Sequence, residues 1–136
     1  MGDVLLASSF VSYVGPFNKK FRDMIIKDGF VKFFKENEIP HTPEANVLKI
    51  LTTDAEIATW NNQKLPSDQV SSENGAILNN SERYSLIIDP QLQGITWLRE
   101  REKENDLQVT RLSNPKMVKT LELAIETGKP VLIENL

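Results

Sequence analysis

No cysteine occurs in these 136 residues. Disulfides and thiolate metal sites are thereby excluded, which suits a reducing compartment. Histidine is almost absent as well. His41 is the one imidazole and stands in a loop before Thr42-Pro43, where an exposed or capping role is expected. No second histidine exists to complete a triad, and the serines lack the Gly-x-Ser-x-Gly frame of a nucleophile elbow. No catalytic residue and no metal ligand is therefore assigned. An excess of either charge is missing too, since 16 basic against 19 acidic residues leave a net −3. That balance gives no electrostatic case for nucleic acid or an anionic membrane as a partner. No apolar run approaches the roughly 18 residues that cross a bilayer. The start, Met1-Gly2-Asp3-Val4-Leu5-Leu6, has neither a basic n-region nor a myristoylation Ser/Thr, so neither a secretory leader nor a lipid anchor is expected.

What remains is ordinary for a globular domain with a real core: 40% hydrophobic and 26% charged residues. Its organisation is uneven. All six phenylalanines fall at or before Phe34, whereas the β-rich runs begin at Tyr84. This predicts a helical first part and an α/β second part. A helix over about Asp3 to Val14 is apolar on most faces and is expected to be buried against neighbouring elements outside the segment. Phe10→Asp should then improve solubility. Gly15-Pro16 ends that helix. Phe17, Phe21, Met24 and Ile25 give the next helix an amphipathic face, Gly29 breaks it, and Phe30, Phe33 and Phe34 form a short aromatic helix closed by Pro40. Three short helices follow, about Ala45 to Leu51, Ala55 to Asn61 and Asp68 to Leu78, with Thr53 or Asp54 and Ser67 or Asp68 as N-caps. Trp60 and Trp97 read as packing residues. The run Arg99-Glu-Arg-Glu-Lys-Glu104 reads as a solvated helix face with local ion pairs.

From Leu86 the pattern alternates: strand Leu86 to Asp89, helix Gln91 to Lys103, strand Gln108 to Leu112, helix Pro115 to Thr127, strand Val131 to Glu134 after a Gly128 stop. Strands and helices of these lengths imply a parallel sheet. The turn after the first strand reads Asp89-Pro-Gln-Leu-Gln-Gly94-Ile95-Thr96. A phosphate-binding loop reads Gly, four residues, then Gly-Lys-Ser/Thr, because backbone N–H groups must wrap phosphate, a lysine must neutralise it and a hydroxyl must hold Mg²⁺. The spacing and Thr96 are kept here. The lysine is Ile95, the first glycine is Asp89, and Pro90 has no N–H to donate. The last strand, where an Asp-Glu pair would hold metal and activate water, ends in Glu134-Asn135.

These segments, with residues 2–17, Trp60 to Asp68 and Ser72-Glu-Asn-Gly-Ala-Ile77, resemble the dynein heavy chain, in the family's order and over nearly the whole chain. The matching stretch lies after the antiparallel stalk and enters the fifth AAA+ module of the motor ring. The resemblance implies a helical segment over residues 1–40 and, over 41–136, the N-terminal part of a degenerate AAA+ large subdomain truncated after the Walker B-like strand. The implied fold is a helical part followed by an incomplete AAA+, P-loop-like parallel sheet with flanking helices. Asp89, Pro90, Gly94, Ile95 and Thr96 would be a degenerate Walker A loop, and Glu134 and Asn135 a degenerate Walker B. No cofactor is expected in this segment, with ATP and Mg²⁺ held by other modules of the parent. Implied partners are neighbouring AAA+ modules and the stalk and strut helices, with microtubules reached only through the parent. The wording Asp-Pro-Gln-Leu-Gln-Gly is closer to axonemal than to cytoplasmic dyneins, which implies a cilium or flagellum. Two other readings stand beside this one: weak ATP or ADP binding through backbone N–H groups and Thr96, and a free-standing protein-interaction module. Because the strand that would separate the Walker A and Walker B strands is absent, open edges and self-association of the isolated segment are expected. Gln108 to Leu112 should lie on the far side of Val131 to Glu134.

Overall fold

The computed structural model describes residues 1–43 and 46–135. Helix α1, Gly2–Ser9, runs directly into a π-helical turn, Phe10–Val14, and stops at Gly15-Pro16. Leu6, Phe10 and Val14 recur at four-residue steps and are each 1% exposed, so one stripe of this apolar helix enters the segment's own core. Val4 and Leu5 lie off that stripe and stay exposed. The expected external docking of the whole helix is thus corrected for Phe10, which packs inside.

Helix α2, Lys19–Met24, begins at Asn18, whose side chain accepts the Phe21 N–H at 3.2 Å. It passes through a π-helical stretch, Ile25–Val31, into α3, Lys32–Glu36. Gly29 therefore does not break the helix. The wider turn carries Ile25, Ile26, Phe30 and Phe34 onto the core around Leu6, Phe10 and Val14, and that burial outweighs the cost of about 1 kcal/mol for a helical glycine. The expected apolar face also shifts. Phe17, Phe21 and Met24 are all exposed, and the buried member of α2 is Arg22.

Helices α4 (Val47–Leu51), α5 (Asp54–Asn62) and α6 (Gln69–Asn80) follow; the start expected at Ala45 lies outside the described residues. Thr53 and Glu56 form a reciprocal capping box on α5, and Asp68 caps α6 through the Ser71 N–H at 3.0 Å. Trp60, Leu65 and Ala76 pack with Trp97 as a second core, and Leu51 touches both cores. At Gly75 an added Cβ would lie 3.0 Å from the Trp60 ring and 3.1 Å from Leu65, so glycine is what lets α6 approach.

The strand expected over Leu86 to Asp89 is not formed. Among the described residues no strand pairs with it, and without a ladder its backbone has nothing to fix it as β. Tyr84, Leu86, Ile87 and Ile88 are all exposed, with Ile87 the least so and near Gly94. Helix α7, Gln93–Arg101, then leads through a 3₁₀ turn, Lys103–Asn105, to β1, Gln108–Arg111. Helix α8, Met117–Thr127, ends at Gly128 with φ +67° and returns to β2, Val131–Glu134. The two strands are parallel, in register Gln108↔Val131 through Arg111↔Glu134. The sheet is thus this one parallel pair, Gln108–Arg111 beside Val131–Glu134.

Phe10→Asp should unfold the segment cooperatively, since even truncation of a buried Phe costs about 3–5 kcal/mol, whereas Val4→Asp should stay within about 0.5 kcal/mol; paired urea titrations check both. A pH titration checks the caps. The Thr53 N–H and the hydroxyls of Thr52 and Thr53 hold Glu56 below the ordinary carboxylate value, and the hydroxyl and N–H of Ser71 do the same for Asp68. Depressed native values mean that this stabilisation is full above the unfolded carboxylate range, about pH 4, and is lost as pH falls through the lower native values. Far-ultraviolet dichroism should therefore show α5 and α6 weakening only on acidification.

Candidate functional site

The turn from residue 89 to 96 is built by a single side chain. Asp89 precedes Pro90, whose ring fixes the entry to the turn, and Leu92 takes the left-handed conformation at φ +58° while donating its N–H to the Asp89 carbonyl at 3.2 Å. This bend aims the first N–H groups of α7 back at the Asp89 carboxylate. Oδ1 accepts the Gln93 N–H at 3.0 Å and Oδ2 accepts the Ile95 N–H at 2.9 Å. Gly94 lies between these donors, and a Cβ there would sit 3.4 Å from Asp89 Oδ2 and 3.5 Å from Ile87.

The other members of the frame are turned elsewhere. Thr96 Oγ1 donates to the Leu92 carbonyl at 2.6 Å, so the hydroxyl of this exposed residue closes the first turn of α7. Glu134 ends β2 with its side chain only 10% exposed, ion-paired to Arg99 of α7 and, at 3.6 Å, to Arg111 of β1. Asn135 follows with φ +56° and is exposed. Asp89, Gly94, Ile95 and Thr96 are thus brought together in one turn, and Glu134 is tied to the helix that this turn opens.

The residues expected to pack do so. Trp97 is 3% exposed, meets Trp60 edge-on at 6.0 Å, donates its indole N–H to Gln63 at 3.2 Å and lies under the Arg101 guanidinium. It faces the second core and not the phosphate frame. In Ser71 to Gly75, Ser72, Glu73 and Gly75 are buried, as a capped, packed helix start requires. His41 stacks on Phe34 at 5.6 Å and places Nδ1 3.0 Å from the Ile39 carbonyl, a half-buried packing position. Within the charged run, Glu100 meets Lys103 and, from α5's end, Lys64, while Arg99 reaches Glu134.

One polar centre escaped the sequence reading. The Arg22 side chain, 2% exposed, donates to Glu73 at 2.8 Å, Asn74 at 2.7 Å and the carbonyls of Phe17 and Gly15 at 2.7 and 2.8 Å. Gln69 donates to the other Glu73 oxygen at 2.8 Å. A signal for it existed, since Arg22 precedes Ile25 and Ile26 by three and four residues and so shares their face.

The residues present do not fit Mg-nucleotide. A phosphate would need the N–H groups that Asp89 holds and a lysine where Ile95 stands, and the metal would need the Thr96 hydroxyl and an unpaired acid at Glu134. Among the described residues, no group of three or more His, Asp or Glu side chains is arranged to hold a metal ion.

A helical segment feeding an α/β unit with one two-stranded parallel sheet is compatible with a partial AAA+ fold. Residues 58–136 match the family of ATP-binding dynein motor regions, and the chain belongs to that family. It is 52% identical over 136 residues to the dynein alpha chain of the flagellar outer arm of Chlamydomonas reinhardtii. It is 47% identical over 137 residues to mouse dynein axonemal heavy chain 17 and 43% over 136 residues to human dynein axonemal heavy chain 8. Each alignment covers 99–100% of this chain and 3% of the relative's length.

Arg22→Ala would leave Glu73 buried without its partner, so a loss of roughly 3–5 kcal/mol is expected in equilibrium unfolding. A loss below about 1 kcal/mol would mean that the pair is dispensable to the join between α2 and α6.

Proposed function

We propose that this chain is a non-catalytic, structural and mechanical segment of an axonemal dynein motor: a degenerate AAA+ module that couples the motor ring to its stalk. The observation that carries the reading is the turn at residues 89–96, where the Gln93 and Ile95 N–H groups donate to an internal carboxylate and the lysine position holds Ile95. Mechanical coupling is supported by the joins between the two parts. Arg22 with Glu73 links α2 to α6, and Trp60 with Trp97 links α5 to α7, both through buried contacts, so displacement at one end is carried to the other by packed side chains.

In the intact protein this segment would contact neighbouring AAA+ modules and the stalk and strut helices, and would meet microtubules only through the parent, in a cilium or flagellum. Nucleotide hydrolysis would belong to other modules of the same heavy chain. The lack of a strand partner for residues 86–88 among the described residues supports self-association of the isolated segment.

Calorimetry with Mg-ATP tests the reading. No binding is expected at physiological nucleotide concentrations, because a lost charge-assisted contact alone costs about 1.5–3 kcal/mol and Asp89 adds repulsion. Micromolar affinity would overturn it. Ile95→Lys alone should give no measurable turnover, since Glu134 is ion-paired and Asn135 carries no carboxylate; a phosphate-release assay reads the result.

A further inference from the structure

The misfit between the loop and nucleotide has a specific physical form. We propose that the Asp89 carboxylate is a built-in anion: it takes in cis the place that a phosphate would take on the loop's N–H groups, an autoinhibitory contact that sets the loop's conformation without a ligand. The inference rests on the non-nucleotide reading above and names the group responsible for it.

Three independent features converge on the carboxylate. Its two oxygens each take one donor, Gln93 N–H and Ile95 N–H, at 3.0 and 2.9 Å. The intervening residue is Gly94, where a Cβ would lie in contact with Oδ2 at 3.4 Å, so the carboxylate sits directly against the glycine of the phosphate frame. Pro90 and the left-handed Leu92 then bend the chain so that residue 89 returns over the start of α7. The carboxylate also lies at the positive end of that helix. Thr96, with its hydroxyl on the Leu92 carbonyl, adds no competing donor. A free anion must therefore displace a tethered one, whose effective concentration is at least millimolar for any short connection, and must approach against its charge.

The experiment is a titration of the 136-residue chain with inorganic pyrophosphate at constant ionic strength, read by the backbone amide resonances of Gln93 and Ile95. Three proteins are compared: wild type, Asp89→Gly, which restores the glycine of the frame, and Asp89→Asn, which keeps one acceptor oxygen without the charge. The wild-type amides should not move, and without any anion present they should be protected from hydrogen exchange. In Asp89→Gly the same two amides should shift saturably, with an affinity at least roughly tenfold above any wild-type response. Should that variant fail to fold, a saturable shift in Asp89→Asn carries the same conclusion. If folded variants leave both amides unmoved, or if the wild-type amides exchange freely, the built-in anion is overturned while the non-nucleotide reading stands. If wild type itself saturates with pyrophosphate at these amides, both are overturned.

Discussion

Arg22 is fully enclosed, and the rest of the helical assembly is arranged around its need for acceptors. A guanidinium removed from water is tolerated only when its donors are met. Here they are met from two directions: the carbonyls of Gly15 and Phe17 at the break after α1, and Glu73 and Asn74 on α6. The break at Gly15-Pro16 is thus more than an end to a helix, since the bend exposes the carbonyls that Arg22 takes. Glu73 in turn is fixed by Gln69 one turn earlier. The result is a polar bolt, with one apolar core on the side of Leu6, Phe10 and Phe34 and another on the side of Trp60 and Trp97.

The same logic governs the phosphate frame. Several polar groups that the frame would offer to a ligand are met within the chain: the Gln93 and Ile95 N–H groups by Asp89, the Thr96 hydroxyl by the Leu92 carbonyl, Glu134 by Arg99 and Arg111. The acid at the end of β2 has become an ion-pair hub that ties β2 to β1 and α7. The spacing of a nucleotide loop is kept at residues 89–96, while the Gln93 and Ile95 N–H groups are bonded within the chain.

The exposed surface follows from what the chain leaves unpaired. Tyr84, Leu86, Ile87 and Ile88 are all exposed, and among the described residues no neighbouring strand offers residues 86–89 a ladder. A strand is stable only as part of a sheet, so the apolar run was legible and its state was not. At Gly29 the failure has another cause: local propensity predicts a stop, but Phe30 and Phe34 reach the core only if the helix continues.

The sequence alone determined the features that depend on local chemistry. The caps at Thr53 and Asp68, the stops at Gly15-Pro16 and Gly128, the two strands Gln108–Arg111 and Val131–Glu134, the phosphate-frame spacing at 89–96 and the family resemblance were all legible, because each is written in neighbouring residues. Tertiary structure decided the rest. That Phe10 packs inward while Val4 stays out, that Arg22 is buried with Glu73 across 51 positions of chain, and that Glu134 meets two arginines all depend on partners distant in sequence. Asp89 is the intermediate case. Its negative charge was visible as a repulsion to phosphate, but only the folded turn shows that this charge already occupies the donors, because hydrogen-bond direction is a property of geometry and not of spacing.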